Sequence, residues 1–260
     1  MKKNVLKVVV SFSLLGVLVP ATFSNSAEAS ESPKNEIVDE QMSNNLDQLD
    51  SLSERVDYIA DQEEKNSGEV ITEESRKEIE KMVSETIKEA NARVEPIKRQ
   101  MEEPENYFSI QSLEITDSQI VRLYKENSGT ATSIRNLYLD ERKKSVSRAN
   151  AYRLSVFYEL VKTGGAWDLK QFLGKDTKYY FKGNKMTGEY IGNHHYGYMG
   201  KAVSFSNTTL KAAAGMYQVY SGTYKMKWIK HYFDDPRDQA AITAGYRDYN
   251  DGYKFKTIIS

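Results

Sequence analysis

Thr187-Gly-Glu-Tyr-Ile-Gly-Asn-His-His-Tyr-Gly-Tyr-Met-Gly200 concentrates hydrogen-bonding and titrating groups in a short segment. It holds two of the three histidines of the chain, one amide and three phenols. Its four glycines permit tight turns or a close approach of the backbone to another group. Histidine is the side chain whose charge changes near neutral pH. Residues 187–200 are therefore the candidate active site.

Glu189 and Asn193 are four residues apart, so they share a face if the segment is helical. That arrangement suits a proton donor beside an amide that orients a substrate. The alternative is that Glu189 only occupies the first turn of a helix capped by Thr187, where acids are favoured.

His194 and His195 are adjacent, so we expect one to face inward and the other outward. His195 is a candidate general base, and Tyr196 a candidate substrate contact. Because the usual two-histidine helical spacing of four is missing, we predict no metal site. A metal site would need help from Asp234 or Asp168.

Asp168 lies in Gly165-Ala-Trp-Asp-Leu-Lys170, directly after Trp167. A carboxylate beside a large apolar ring is a typical setting for a catalytic acid, whereas a structural ion pair is the alternative role. Trp167 and Lys170 are candidate substrate contacts.

Asp235-Pro-Arg-Asp238 has the residue types of a helix start, with Asp at the N-cap and Pro at the first position. Asp235 is a candidate catalytic carboxylate, and Asp238 a candidate substrate-binding residue. The capping role is the simpler interpretation of both.

Several standard catalytic signals are missing from the sequence, including a glycine-rich phosphate loop, a zinc-protease helix motif and any cysteine. The remaining possibility is general acid–base catalysis by Asp, Glu, His, Lys and Tyr. We expect no cofactor.

The fold class predicted for the chain is mainly α. A helical N-terminal hairpin or coiled-coil region precedes a mostly α globular domain with one minor β-hairpin near Lys178–Met186. Thr116-Asp-Ser-Gln119 resembles a capping box that opens a short helix, which Ser128-Gly129 closes. Further helices are predicted at about 133–144, 147–162, 207–220 and 236–249.

The N-terminal end indicates export. Residues 1–29 have the charged, apolar and small-residue regions of a signal peptide. Residues 30–106 form an acidic helical spacer or delivery region, with one helix ending at Asn66-Ser-Gly68 and the next beginning after Thr72. Residues 107–260 form the effector domain. No stable membrane anchor is expected, and the predicted location is extracellular or at the cell envelope.

The charge of the chain is strongly asymmetric. Residues 31–110 carry 10 Lys and Arg against 22 Asp and Glu, whereas residues 151–260 carry 16 against 9. The basic half also contains 14 tyrosines, which suits sugar rings or bases as well as polyanions.

Four ordered motifs resemble those of the bacterial polymorphic toxin type 44 domain, over about residues 151–245. They are Gly165–Lys170, Gly192–Gly197 with Gly200, Ala214-Gly215 with Gln218, and Asp234–Gln239 with Ile242 and Gly245. Ala166 departs from the family pattern, which usually has proline there. The family shows Asn or His at position 195, which favours an orienting or structural role for His195.

The resemblance implies a toxin domain used in competition between bacteria, with a separately encoded immunity protein as partner. We expect hydrolysis of a cell-envelope polymer such as peptidoglycan, with Glu189 as proton donor and Asp168 or Asp235 as second carboxylate. The alternatives are a nuclease that cleaves RNA, with His195 as base, and a non-enzymatic envelope-binding protein.

Overall fold

The computed structural model describes residues 51–101, 116–220 and 235–253, except for the side chains of 215–220. These ranges form eight helices and one two-stranded antiparallel sheet, which confirms the mainly α fold class. No helix in them is long and apolar enough to cross a membrane. In chain order the elements are α1 (Leu52–Ser67), α2 (Glu73–Met101), α3 (Ser118–Arg142), α4 (Val146–Val161), α5 (Leu169–Leu173), β1 (Lys178–Phe181), β2 (Asn184–Thr187), α6 (Gly188–Ala202), α7 (Asn207–Tyr220) and α8 (Pro236–Asn250).

Some sequence predictions lie outside the described residues. They are the signal peptide at 1–29, the start of the spacer at 30–50, the boundary near 106 and the candidate Asp234.

Helix α1 ends and helix α2 begins where the sequence indicates. The backbone N–H of Glu54 donates to Ser51 Oγ at the start of α1. Gly68 ends α1 in the left-handed region, at φ +70°, and its N–H donates to the carbonyl of Glu64. Helix α2 buries an apolar stripe formed by Ile79, Val83, Ala90, Val94 and Ile97.

Helices α1 and α2 pack on α3 and α4 and contribute to one hydrophobic core with them. Buried polar contacts accompany this packing: Arg55 of α1 lies 3.7 Å from the carboxylate of Glu159 in α4. The hydroxyl of Thr86 in α2 lies 3.1 Å from that of Tyr152 in α4. The N-terminal helices therefore bury one face of α4.

The third helix corrects the predicted break at Ser128-Gly129, because α3 is continuous through both residues. Gly129 faces α2 there, and a Cβ at this position would lie 3.1 Å from Nη1 of Arg93. The predicted capping box is also wrong, since Asp117 rather than Thr116 is the N-cap and its side chain makes no cap hydrogen bond. Asp117 Oδ2 instead accepts from the N–H of Tyr180 in β1, at 3.0 Å. Asp117 therefore connects the start of α3 to strand β1.

The predicted hairpin is confirmed. Strands β1 and β2 pair antiparallel with Lys178 opposite Thr187 and Phe181 opposite Asn184. Lys182 and Gly183 connect them with φ of +53° and +76°, as a two-residue turn with two left-handed positions requires.

Helix α6 lies at the centre of the C-terminal part and packs on α3, α5, α7 and α8. Its glycines lie in regular helix rather than in a loop, and they allow neighbouring elements to approach. A Cβ at Gly197 would lie 2.0 Å from the carbonyl oxygen of Ile242 in α8. A Cβ at Gly200 would lie 2.3 Å from Cδ2 of Leu210 in α7. The glycine-rich segment is thus the packing centre of this half of the fold.

Candidate active site

Glu189 lies in the first turn of α6, which Thr187 caps by accepting the N–H of Tyr190 at 3.2 Å. Glu189 as a whole residue is partly buried. Its carboxyl group makes no hydrogen bond or ion pair with any part of the chain that the structure describes. The cap therefore explains the position of Glu189 but leaves its carboxyl group available.

Asn193 follows one turn later on the same face of α6 and is buried. Its Nδ2 has no hydrogen-bond partner among the described residues. A buried amide donor without a partner is costly, and in native proteins it usually has a ligand or a water. Glu189 and Asn193 together present a carboxyl group and an amide donor to a ligand.

Lys170 and Asp238 join these two residues from neighbouring helices. Nζ of Lys170 lies 4.0 Å from Oδ2 of Asp238, which is within ion-pair range. The stem of Lys170 packs against α6, where a Cβ at Gly192 would lie 2.5 Å from its Cγ. Glu189 and Asp238 both act electrostatically on Arg237, which places them on the same side of the domain. We call Lys170, Glu189, Asn193 and Asp238 the polar cluster.

Asp168 and Asp235 lie at the edge of this cluster, and both are helix caps. The two carboxylate oxygens of Asp168 accept from the backbone N–H groups of Gly164 and Gln171, at 3.0 and 3.4 Å. Asp235 accepts the N–H of Arg237 at 2.8 Å and pairs with its guanidinium at 2.9 Å. These contacts therefore account for Asp168 and Asp235 as helix caps.

The motifs that define the cluster all lie in one continuous part of the sequence. Residues 156–251 match the family model described as bacterial toxin 44. This match confirms the resemblance suggested by the four motifs. No curated protein and no solved structure was found to be similar to the chain.

The toxin 44 segment begins within α4 and ends just after α8. It thus contains every residue of the polar cluster, and it is similar to a bacterial toxin domain. Helices α1, α2 and α3 precede it in the sequence but pack on it in the fold. Across the described ranges, no group of three or more histidine, aspartate or glutamate residues is placed to hold a metal ion.

His194 and His195 of the toxin 44 segment are both fully buried, so the expectation that one faces outward is wrong. The cause is that α6 is enclosed on opposite sides. His195 faces α3, where Asn127 Nδ2 lies 2.9 Å from its Nε2. His194 faces α8, where its Nε2 lies 2.9 Å from Oδ2 of Asp248.

His195 lies behind the polar cluster, in the core. Its ring packs edge-on against Trp167, with the ring centroids 6.0 Å apart, and Trp167 is itself buried. Burial, together with the neighbouring His194, lowers the pKa of His195 to about 3. Its ring is therefore neutral near pH 7. Tyr196, the other predicted contact, donates its hydroxyl to the carbonyl of Leu210 in α7.

A network around His194 was not predicted from the sequence. The Asp248 carboxylate accepts from Nε2–H of His194, so Nδ1 is the acceptor for the Tyr124 hydroxyl at 2.9 Å. Lys182 also donates to Asp248. Burial opposes the ionisation of Asp248, but these two donors outweigh it and hold the pKa of its carboxyl group below the ordinary value. The network connects α3, the hairpin, α6 and α8.

The buried histidines give the protein a pH-dependent stability. Burial lowers the pKa of His194 and His195, so the folded state binds protons less readily than the unfolded chain. Stability is therefore complete above the unfolded-state pKa of about 6.5 and is lost as the pH falls below it. His195 alone should account for a loss of about 2 kcal/mol between pH 6.5 and 5.

The measurement is urea unfolding at half-unit intervals from pH 7.5 to 5, on the natural protein and His195→Asn. We expect the variant to lose less stability on acidification. The slope of its free energy of unfolding against pH should be smaller by the equivalent of about one bound proton. Equal pH dependence of stability in the two proteins would show that His195 binds a proton as readily in the folded protein as in the unfolded chain.

Proposed function

We propose that this protein is an exported toxin whose C-terminal domain hydrolyses a cell-envelope polymer, with peptidoglycan as the favoured substrate. The observation that carries the proposal is the pairing of Glu189 and Asn193. Both polar groups lack partners among the described residues, although Glu189 is partly buried and Asn193 is buried. Such groups are typical of a site that a substrate completes.

Glu189 is the proton donor in this proposal. Hydrolysis of a glycosidic bond requires a carboxylic acid beside the leaving oxygen. No cation of the described residues forms an ion pair with this carboxyl group. Asn193 donates its amide hydrogen to a hydroxyl or carbonyl oxygen of the substrate and so positions it.

The charge around the cluster favours a sugar polymer over RNA. Glu189, Asp235 and Asp238 bring three carboxylates to the cluster, beside the cations of Lys170 and Arg237. A polyphosphate would be repelled by the carboxylates at short range. A sugar polymer instead offers hydroxyl and amide groups, which an asparagine can bind.

Export and partners follow from the sequence. The signal-peptide pattern of residues 1–29 would deliver the domain to the envelope, where peptidoglycan is accessible. A toxin domain of this kind also implies an immunity protein that protects the producing cell.

The test is incubation of residues 30–260 with peptidoglycan sacculi and, separately, with total RNA. We expect release of soluble muropeptides and no RNA cleavage. Glu189→Gln should lower the rate by about 10²- to 10⁴-fold, because the proton donor is lost. Its matched control is Glu85→Gln, which makes the same change at an exposed position of α2.

Each other outcome favours a different function. RNA cleavage with intact sacculi would contradict the proposal in favour of a nuclease. Inactivity on both substrates, with binding to sacculi, would favour the non-enzymatic envelope-binding protein.

A further inference from the structure

We infer that the solvent side of the β-hairpin binds the substrate polymer next to the bond that is cut. In this surface Tyr180 lies against a sugar ring, and Lys178 and Lys185 bind carboxylate groups of the peptide chains. We call these three residues the hairpin face. The inference deepens the proposed function, and it rests on that function for the identity of the polymer.

The register of the hairpin places the three side chains on one face. Lys178 and Tyr180 are two residues apart in β1, so they point to the same side of the strand. Lys185 pairs with Tyr180 across the strands, and its Nζ lies 5.5 Å from the centroid of the Tyr180 ring. The opposite face is directed to the core, where Phe181 is buried and Met186 packs against buried residues.

Two adjacent tyrosines show how the two faces differ. The hydroxyl of Tyr179 donates to the carbonyl of Leu173 at 2.7 Å, so this side chain takes part in packing. Tyr180 is partly exposed, and its hydroxyl makes no hydrogen bond with any described residue. Lys178 and Lys185 are exposed and make no ion pair within the described ranges. The hairpin face therefore presents an aromatic ring and two cations to a ligand.

Backbone hydrogen bonds fix the position of Tyr180. Its N–H donates to Oδ2 of Asp117 at 3.0 Å, and its carbonyl accepts the N–H of Asp117 at 2.9 Å. Two residues later, the N–H of Lys182 donates to Oγ1 of Thr116 at 3.0 Å. Residues 116 and 117 therefore hold the outer edge of β1. A binding side chain on such a fixed element is positioned more precisely than one on a loop.

The hairpin is also joined to the start of α6, where Glu189 lies. The N–H of Glu189 donates to the carbonyl of Lys175 at 3.1 Å. The N–H of Gly188 donates to the carbonyl of Thr177 at 2.8 Å. The candidate proton donor therefore has its backbone bound to the loop that leads directly into β1.

The distance along the strands suits a polymer that contacts both places. Thr187, the last residue of β2, caps α6 and pairs with Lys178. From this pair to the pair of Tyr180 and Lys185, each strand advances by two residues, or about 7 Å. A chain of a few sugar units that lies along the hairpin face therefore extends to the start of α6.

The sign of the charge changes between the two ends of this path. The acids around Arg237 make the end at Glu189 negative, whereas the hairpin face carries two lysines. RNA has a phosphate at every nucleotide, so it would place one beside those acids. Peptidoglycan has uncharged hydroxyl and amide groups at its glycosidic bonds and carboxylates on its peptide chains. An aromatic ring suits a sugar ring, and an ammonium group suits a carboxylate.

Tyr180→Ala tests the aromatic contact. Binding to peptidoglycan sacculi is measured by cosedimentation of residues 30–260 that carry Glu189→Gln, so that cleavage does not consume the sacculi. We expect Tyr180→Ala to weaken binding by about 10-fold, because a central aromatic contact is lost. Tyr180→Phe keeps the ring and should bind within about twofold of the unsubstituted protein.

The double variant Lys178→Gln/Lys185→Gln tests the charged contacts. At low salt it should bind sacculi about 10-fold more weakly, and the difference should disappear at about 1 M salt. Removal of the peptide chains from the sacculi by an amidase should weaken the natural pair of lysines by the same factor and leave the double variant unaffected. The matched control is Lys81→Gln/Lys88→Gln, which removes the same charge from exposed positions of α2 and should bind normally.

The active protein gives a second measurement. With Glu189 present, both sets of substitutions should raise the concentration of sacculi that gives the half-maximal rate by about 10-fold and leave the maximal rate within about twofold. Equal midpoints of urea unfolding show that a variant is folded. If Tyr180→Ala does not fold, the lysine variant decides.

The outcomes separate this inference from the proposed function. Cleavage of sacculi by the natural protein, with unchanged binding in the folded variants, would overturn this inference alone. Binding that depends on Tyr180 and the lysines but leads to no cleavage would overturn the hydrolase and support the hairpin face. Absence of both binding and cleavage would overturn both. Tighter binding to single-stranded RNA, lost in the same variants, would show that a nucleic acid is the ligand and would also overturn both.

Discussion

Removal of α1 and α2 is expected to abolish cooperative folding of the toxin domain. These helices bury one face of α4, including Tyr152 and Val156, and they share its hydrophobic core. Their own contribution includes fully buried Val56, Ala60, Ile79, Val83 and Ala90. A fully buried Ile replaced by Ala alone costs about 2–5 kcal/mol, whereas a domain is stable by only about 5–15 kcal/mol. The loss of both helices, with all five of these buried side chains, exceeds that margin.

The measurement compares residues 107–260 with residues 30–260 by near-ultraviolet circular dichroism and urea unfolding. We expect the longer chain to unfold in one sharp transition and the shorter one to show none. A sharp transition in the shorter chain would show that the toxin domain folds without the N-terminal helices. Because the toxin 44 segment begins within α4, its isolated residues 156–251 should behave like the shorter chain.

Two point variants check the same packing without a deletion. Ile79→Ala removes a fully buried side chain from α2 and should cost about 2–5 kcal/mol. Val70→Ala changes a side chain that is 80% exposed in the connection between α1 and α2, and should cost less than about 0.5 kcal/mol.

Local sequence signals predicted the elements of this fold well. The hairpin followed from a β-rich run interrupted by Gly183-Asn184, and the end of α1 followed from Gly68. The start of α8 followed from Asp235 and Pro236. Each of these signals acts within a few residues, so the local sequence is enough to predict where the helix or strand begins or ends.

Contacts between distant elements were the part that could not be predicted. The local sequence around Gly129 indicates a helix end. The structure shows instead that Gly129 lies inside α3, where Arg93 of α2 approaches its backbone closely. His194 is buried because Asp248, 54 residues later, accepts its N–H. For the candidate site, every residue of the polar cluster is one that the sequence suggested, and the functional roles of these residues stay a prediction. The contacts of these residues were not predicted, so capping by Asp168 and Asp235 could not be distinguished from a catalytic role.

Gly245→Ala is expected to destabilise the protein strongly, because Gly245 lies where α8 crosses α6. An added Cβ would lie 1.9 Å from the carbonyl oxygen of His194 and 2.9 Å from the backbone nitrogen of Tyr198. Both are backbone atoms, so no side-chain rotation relieves the clash, and the two helices must move apart. Overpacking usually costs about 1–3 kcal/mol, and we expect a loss at or above the top of that range.

Gly129→Ala is the matched control for Gly245→Ala, since it makes the same change inside another helix. Its Cβ would meet only the guanidinium of Arg93 at 3.1 Å, the mobile end of a long side chain. Alanine is a better helix former than glycine by about 1 kcal/mol, so this variant should be as stable as the natural protein or more stable. Urea unfolding of both variants measures the difference. Because α6 carries Glu189 and Asn193 and α8 carries Asp238, Gly245→Ala should also lower the proposed hydrolytic activity of the molecules that remain folded. Equal unfolding midpoints for Gly245→Ala and the natural protein would show that the helices separate at this crossing without cost.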